Sequence, residues 1–310
     1  MDALPVSPLA PKALPEAGPL AGVRLAVAET GMKYADRADL LLIVFDRPAT
    51  AAGVFTKSLC PSAPVDWCRT ALVDGQGLAR AVLVNAGNAN AFTGAVGATA
   101  VAESVTAVSE AVGCAKTEVF AASTGVIGEP LDASLLTRHV PALARSEKDG
   151  HPVDDDRRAR SASWAEAAVA IMTTDTYPKL ATRTVSVAGR DYQITGIAKG
   201  SGMIAPDMAT MLSFIVTDCP VAPALLQSMV SESADGTFNA ITVDSDTSTS
   251  DTVMVFSAPA DDATPLASLD DAGAAEFQAA LHELMLDLAL LLVRDGEGAT
   301  KQIEIQVSGA

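Results

Sequence analysis

The chain has 310 residues, enough for one large domain or two smaller ones with a substantial core. Lys plus Arg number 21 and Asp plus Glu 38, a formal charge of −17, which argues against polyanion partners: neither nucleic acid nor an anionic membrane surface suits so acidic a protein. Aromatic residues are only 4%, so the core must be built mainly from Ala, Val, Leu and Ile, and only His139, His151 and His282 supply imidazoles.

Residues 1–20 carry Pro5, Pro8, Pro11, Pro15 and Pro19 and read as an extended leader, without the basic and apolar stretches of a signal peptide. Residues 21–30 and 39–46 read as short strands, and 80–85 as a buried strand ending in the Gly/Asn loop Asn85–Asn90. Val101, Val105 and Val108 at helical spacing predict a helix over 97–112. A strand follows at 118–123 and runs into Ser123-Thr124-Gly125. The charged stretch 146–160 reads as a solvated loop between two halves. An Ala-rich helix is expected at 162–172 and a hairpin at 183–197 around Ala188-Gly189. The stripe Leu281, Leu284, Leu288 and Leu291 predicts a helix over 271–293. Alternation at 302–307 predicts a half-exposed strand. Strands and helices are mixed throughout, so the fold class is α/β or α+β.

Cys60, Cys68, Cys114 and Cys219 form no C-x-x-C pair, so neither a zinc site nor a disulfide framework is expected; they read as reduced, mostly buried thiols of a cytoplasmic protein. His282-Glu283 opens like a zincin helix, but position 286 is Leu and the second ligand is absent. The segment Asp244-Ser245-Asp246-Thr247 resembles the start of a calcium loop, yet Thr249 stands where the required Gly would be. Ser248, Thr249, Ser250, Asp251 and Thr252 read instead as a hydroxyl-rich turn that bonds its own backbone. Gly200-Ser201-Gly202-Met203-Ile204-Ala205 matches G-x-G-x-x-A, but Pro206 follows where a dinucleotide-binding helix needs N–H groups. No G-x-S-x-G is present, and each histidine reads as a surface or packing residue. Acyl chemistry here therefore calls for a base other than His. A nucleophile bearing its own free α-amine, with an ordinary pKa of about 7.7–8.0, would serve, and it requires a cut directly before a Ser, Thr or Cys. Composition alone does not locate that cut.

The segment 196–212, Gly-Ile-Ala-Lys-Gly-Ser-Gly-Met-Ile-Ala-Pro-Asp-Met-Ala-Thr-Met-Leu, strongly resembles the self-cleavage region of the ornithine acetyltransferase family of arginine biosynthesis. Six further segments are similar to that family in the same order: 48–55, 84–91, 122–131, 172–176, 243–252 and 294–301. The resemblance implies a layered α/β sandwich of the N-terminal-nucleophile type. It implies a cut between Ala209 and Thr210, giving an α chain 21–209 behind its leader and a β chain 210–310, and an assembly of two α and two β chains. Thr210 would be the nucleophile, accepting acetyl from N-acetylornithine and passing it to glutamate. Thr124 and Gly125 would form the oxyanion hole, one such donor typically lowering the barrier by about 3–4 kcal/mol. Thr173, Lys199 and Glu297 match substrate-binding positions, with the adjacent Thr174 an alternative to Thr173. No metal or cofactor is implied; acetyl-CoA stands as an alternative acetyl donor. Family members continue past the position matching Ala310 and bring an Asn and a Thr to the substrate site, so the expectation is a chain that cleaves itself and transfers acetyl poorly. Two alternatives stand beside this reading: an N-terminal-nucleophile aminopeptidase of the same fold, and a non-catalytic truncated fragment.

Overall fold

The computed structural model describes residues 5–145, 159–205 and 211–309. In chain order the elements are β1 (Val23–Ala28), β2 (Leu40–Phe55), α1 (Ala63–Asp74), β3 (Leu78–Asn88), α2 (Gly94–Val112), β4 (Val119–Val126), α3 (Ser134–Thr137), α4 (Val140–Arg145), β5 (Ala159–Ser161), α5 (Trp164–Ala170), β6 (Lys179–Val187), β7 (Arg190–Lys199), β8 (Leu212–Thr217), α6 (Pro223–Asp235), β9 (Thr252–Ser257) and α7 (Ala274–Arg294).

Hydrogen bonds join the strands in the order β4-β3-β2-β9-β8-β7-β6, with β1 bridging β2 and β5. The long strand β2 is the hinge of this arrangement. Its first half pairs with β1 and β3, and its second half, from Thr50, pairs with β9. Between them the register against β3 shifts across Asp46, Arg47 and Pro48. Pro48 has no N–H to give a ladder, so it is tolerated at such an irregularity. The sequence pattern stops this strand at residue 46 because the same three polar or imino residues look like a turn.

Period-two alternation sorts the side chains of nearly every strand into two buried faces. Leu41, Ile43 and Phe45 of β2, Val82 and Val84 of β3, and Phe214 and Val216 of β8 meet in a central layer. Their neighbours Leu40, Leu42 and Val44, with Leu83, face α2, α3 and α4. On the other side, Ile194, Ile215, Val253 and Val255 face α6 and α7. The result is one continuous nine-stranded sheet, carried by β2 from one half to the other around the central layer, with helices on both outer faces: the α/β sandwich expected. Strands covered on both faces read as continuous apolar runs, which explains the sequence Leu-Leu-Leu-Ile-Val-Phe at 40–45.

The stripe on α7 lies against this sheet as expected, with Leu281, Leu284 and Leu288 fully buried, each contributing about 1.5–3 kcal/mol. Gly196 on β7 lets the helix approach: a Cβ there would lie 2.9 Å from Leu288 Cδ1 and 2.8 Å from Ile215 Cγ1. The hairpin is β6–β7, turning at Ala188 and Gly189 with both in positive φ.

Two expectations are corrected. Among the described residues, 302–307 pair with no strand; Ile303, Ile305 and Val307 are 79%, 82% and 79% exposed. Alternation of apolar residues makes a strand only when a ladder partner and a covered face are at hand, and neither meets this segment. The cysteines are free thiols, but only Cys68 and Cys219 are buried, Cys114 being half-buried and Cys60 exposed. Within the charged stretch 146–160, residues 159 and 160 belong to β5; the rest, His151 included, lies outside the described residues. The leader, followed from Pro5, is pinned near the later site: Ser7 N–H donates to Thr176 Oγ1 at 2.9 Å.

Candidate active site

β7, β8 and β9 are aligned so that Lys199, Leu212 and Thr252 sit side by side. Lys199 closes β7, and Gly200 turns the chain away with φ +146, a conformation open to glycine. Ala209 and Thr210 lie outside the described residues; the chain is followed again from Met211, the residue covalently joined to Thr210 and leading into β8.

The loop after β7 is tied down by acids. Asp244 accepts from Met203 N–H at 2.6 Å and Ile204 N–H at 2.9 Å, and from its own neighbour Asp246 N–H at 3.1 Å. The hydroxyl-rich turn read at 248–252 does bond its own backbone, Ser250 N–H donating to Ser248 Oγ at 3.1 Å and Thr252 Oγ1 to Ser250 O at 3.0 Å, while the Asp244 side chain holds the facing loop. Its carboxylate also fixes the segment that leads toward residue 206.

Four charges converge behind this loop. Lys179, fully buried at the start of β6, lies 2.7 Å from Asp175 Oδ1 and 2.6 Å from Asp295 Oδ2. Asp175 also accepts from Gly200 N–H at 2.6 Å and Thr173 N–H at 3.0 Å. Burial alone would raise its pKa, but the charges of Lys179 and Lys199 and the Gly200 N–H outweigh it and hold the carboxyl well below the usual range. Lys199 is buried too, and its Nζ stands 3.9 Å from Asp175 Oδ2, beyond hydrogen-bonding distance. Burial pulls its pKa down, with Asp175 opposing. Lys179 is shared between Asp175 and Asp295, so Lys199 is the second cation of this group; at 3.9 Å from Asp175 Oδ2 its Nζ keeps donor capacity for an anion.

Thr173 is half-buried and Glu297 exposed at the rim of the same region. Glu297 N–H donates to Ser201 O at 2.8 Å, and its carboxylate lies over Gly202. Thr174, the alternative to Thr173, places its hydroxyl 2.7 Å from Ser201 Oγ. The structure therefore brings Thr173, Thr174, Lys199 and Glu297 around the Gly200–Gly202 turn.

Thr124 and Gly125 belong to a second cluster at the parallel ends of β3 and β4. Gly125 has φ +132, and a Cβ there would come within 2.3 Å of Gly87 C, so only glycine fits. Ser123 Oγ donates to Asn85 Oδ1 at 2.6 Å, while Ala89 N–H donates to Val126 O at 2.8 Å. The two clusters are stitched together at the start of α1: Ser62 N–H donates to Thr249 O at 2.7 Å and Ala63 N–H to Asn90 O at 3.2 Å. Asp175, Lys179, Asp295 and Asp251 take part in this region without having been read as site residues. Asp175, Asp251 and Asp295 had a signal, since each lies inside a family-like segment (172–176, 243–252 and 294–301); Lys179 had none.

A mixed sheet flanked by helices on both sides places this chain in the class of layered α/β sandwich folds. The β-aminopeptidase of Burkholderia sp. shares the fold, with a TM-score of 0.50 and 14% identity, covering 88% of this chain and 84% of that one. The ArgJ family profile matches residues 24–310. The arginine biosynthesis bifunctional protein ArgJ of Agrobacterium fabrum is 55% identical over 308 residues, covering 98% of this chain and 71% of that protein. The counterpart from Rhizobium meliloti is 54% identical over the same length. The crystal structure of ArgJ from Bacillus halodurans matches with a TM-score of 0.52 at 31% identity, covering 61% of this chain and 91% of that one. The chain belongs to the ArgJ family of bifunctional arginine-biosynthesis enzymes.

Proposed function

We propose that this protein moves acetyl from N-acetylornithine to glutamate through a Thr210 acetyl-enzyme, after cutting itself between Ala209 and Thr210. The observation that carries the reading is the buried Lys199, 3.9 Å from an Asp175 whose hydrogen bond goes to Lys179 instead, in a chain of this family.

The freed Thr210 α-amine takes the hydroxyl proton as Oγ bonds to the acetyl carbon. The C–N bond to ornithine then breaks, and its nitrogen takes up the proton. Glutamate's amine attacks the acetyl-enzyme and reverses the sequence. Thr124 Oγ and Gly125 N–H stabilise the developing oxyanion. Lys199 receives the α-carboxylate, and Glu297 and Thr173 hold the amine-bearing end. Acetyl-CoA as a second donor, a cytoplasmic location and pairing of two α and two β chains belong to the same proposal. Among the described residues no helix is long and apolar enough to cross a membrane, which suits that location. The aminopeptidase alternative retains only a likeness of fold.

Denaturing electrophoresis with intact-mass measurement should show fragments 1–209 and 210–310, and Thr210→Ala should remain whole. The cut protein should exchange labelled acetyl between ornithine and glutamate. An intact wild-type chain would refute the cleavage, and a cut chain without exchange would refute the transfer.

A further inference from the structure

Followed back from β1, the leader crosses the molecule. Leu20 lies in the central layer, Leu14 and Ala17 pack against that layer, and Ala10 packs against the one facing α6 and α7. A turn with Pro8 at its second position then closes on the half-buried Ser7: Ala10 N–H donates to Ser7 O at 3.0 Å and Leu9 N–H to Ser7 Oγ at 3.2 Å. Pro8 fixes its own φ and restricts the backbone of Ser7, so the turn loses little freedom on folding.

Ser7 completes a ring across two loops. Its N–H donates to Thr176 Oγ1 at 2.9 Å, and Thr176 Oγ1 donates to Asp295 Oδ1. Asp295 follows Arg294, whose carbonyl accepts from Ser7 Oγ at 2.5 Å. Arg294 is the last residue of α7, so this carbonyl has no partner within the helix. Behind the ring, Asp295 Oδ2 accepts from Thr176 N–H at 2.9 Å and from Lys179 Nζ at 2.6 Å. The same Nζ reaches Asp175, which in turn accepts from Gly200 N–H and Thr173 N–H. An unbroken line of hydrogen bonds therefore runs from Ser7 to the turn that follows Lys199.

The ring lies where two family-like segments meet. Thr176 ends the segment 172–176, which carries Thr173, and Arg294 opens the segment 294–301, which carries Glu297. Thr173 is half-buried and Glu297 exposed, so core packing fixes their separation less than these hydrogen bonds do.

We infer that Ser7 is a positioning residue: by stapling the 172–176 loop to the end of α7 it sets the spacing between Thr173 and Glu297, and with it the fit of an amino-acid substrate. The inference rests on the acetyl transfer proposed above, and in it Ser7 touches no substrate. A bound ornithine or glutamate presents groups at separations its own skeleton limits, so a loop displaced by about 1 Å weakens its hold. A hydroxyl that merely capped α7 would change the melting temperature and leave substrate affinity alone.

The test is steady-state kinetics of the full chain with N-acetylornithine and glutamate, set beside its thermal melt. Ser7→Ala deletes the bond to Arg294 O and should raise both KM values about five- to tenfold, the effect of one lost hydrogen bond, with kcat within about twofold. Ser7→Thr keeps the hydroxyl and should return KM to within about twofold of wild type. Thr176→Val breaks the ring at its other corner and should raise KM at least about fivefold. KM within about twofold of wild type in Ser7→Ala, whatever its melt, would overturn the inference, as would a loss confined to kcat. So would Ser7→Thr behaving as Ser7→Ala does. A Ser7→Ala chain unfolded by circular dichroism would make the residue a folding determinant and overturn it too. A wild-type protein that exchanges no acetyl fails the functional reading itself, a different result from one that exchanges it and is matched by Ser7→Ala.

Discussion

Replacing Lys179 by Met removes one cation from between two buried carboxylates. Nζ lies 2.7 Å from Asp175 and 2.6 Å from Asp295, and all three side chains are fully buried. The thioether fills most of the volume, so the loss is electrostatic rather than a cavity. Breaking a buried pair by deleting one partner costs about 3–5 kcal/mol, because the remaining charge is stranded. Here two carboxylates are stranded, although Asp175 keeps the Gly200 and Thr173 N–H groups and Asp295 keeps Thr176 N–H at 2.9 Å. The expected loss is about 4 kcal/mol at neutral pH. The sign with pH follows from Asp175. In the wild type its depressed pKa gives stability above the unfolded carboxylate value of about 3.9, lost only as pH falls through the folded value. In the variant burial is less opposed, the pKa rises, and stability is instead lost as pH rises through it. The deficit should therefore shrink by about 1 kcal/mol or more between pH 8 and pH 5. Urea unfolding followed by the fluorescence of Trp67 and Trp164 at several pH values measures this. A deficit below about 1 kcal/mol, or one unchanged with pH, would refute the reasoning.

Two further substitutions probe the ends of the strands. Gly125→Ala forces a Cβ to within 2.3 Å of Gly87 C and fixes an alanine at φ +132, so thermal unfolding should drop by several degrees and cleavage should fail; an unchanged melt would contradict the close approach. Asp244→Ala removes the acceptor for three N–H groups and should speed amide exchange at Met203 and Ile204 at least about tenfold while β7 stays protected; equal exchange would show that another group holds this loop.

The long α7 was legible because its leucine stripe repeats over many turns, and β6–β7 because Ala188-Gly189 marks its turn. β8 and β9 escaped a pattern reading. Leu-Ser-Phe-Ile-Val-Thr and Thr-Val-Met-Val-Phe-Ser are buried on both faces, so neither alternates, and both adjoin motif segments that drew attention to chemistry instead. α1 and α6 carry a proline within their first two residues (Pro64 and Pro223) and weak stripes, so they resemble loops. Of the site, the motifs pointed to Thr124, Gly125, Thr173, Lys199 and Glu297, and the structure gathers the last three around one turn. The partners that set their charge were not legible: Lys179 and Asp295 are 116 positions apart in the chain, and only folding brings them together.

The strand order β2-β9-β8-β7 has a consequence for timing. Everything after residue 210 that enters the sheet, β8 and β9, is inserted between β2 and β7, two strands that come from before it. Without that insert the earlier portion would carry two open hydrogen-bonding edges facing a gap two strands wide, a state prone to association with other chains. A break after β7 can be survived only by a molecule that has already assembled. The severed pieces would be partners by construction, each the scaffold for the other, with no free pool of either to draw upon.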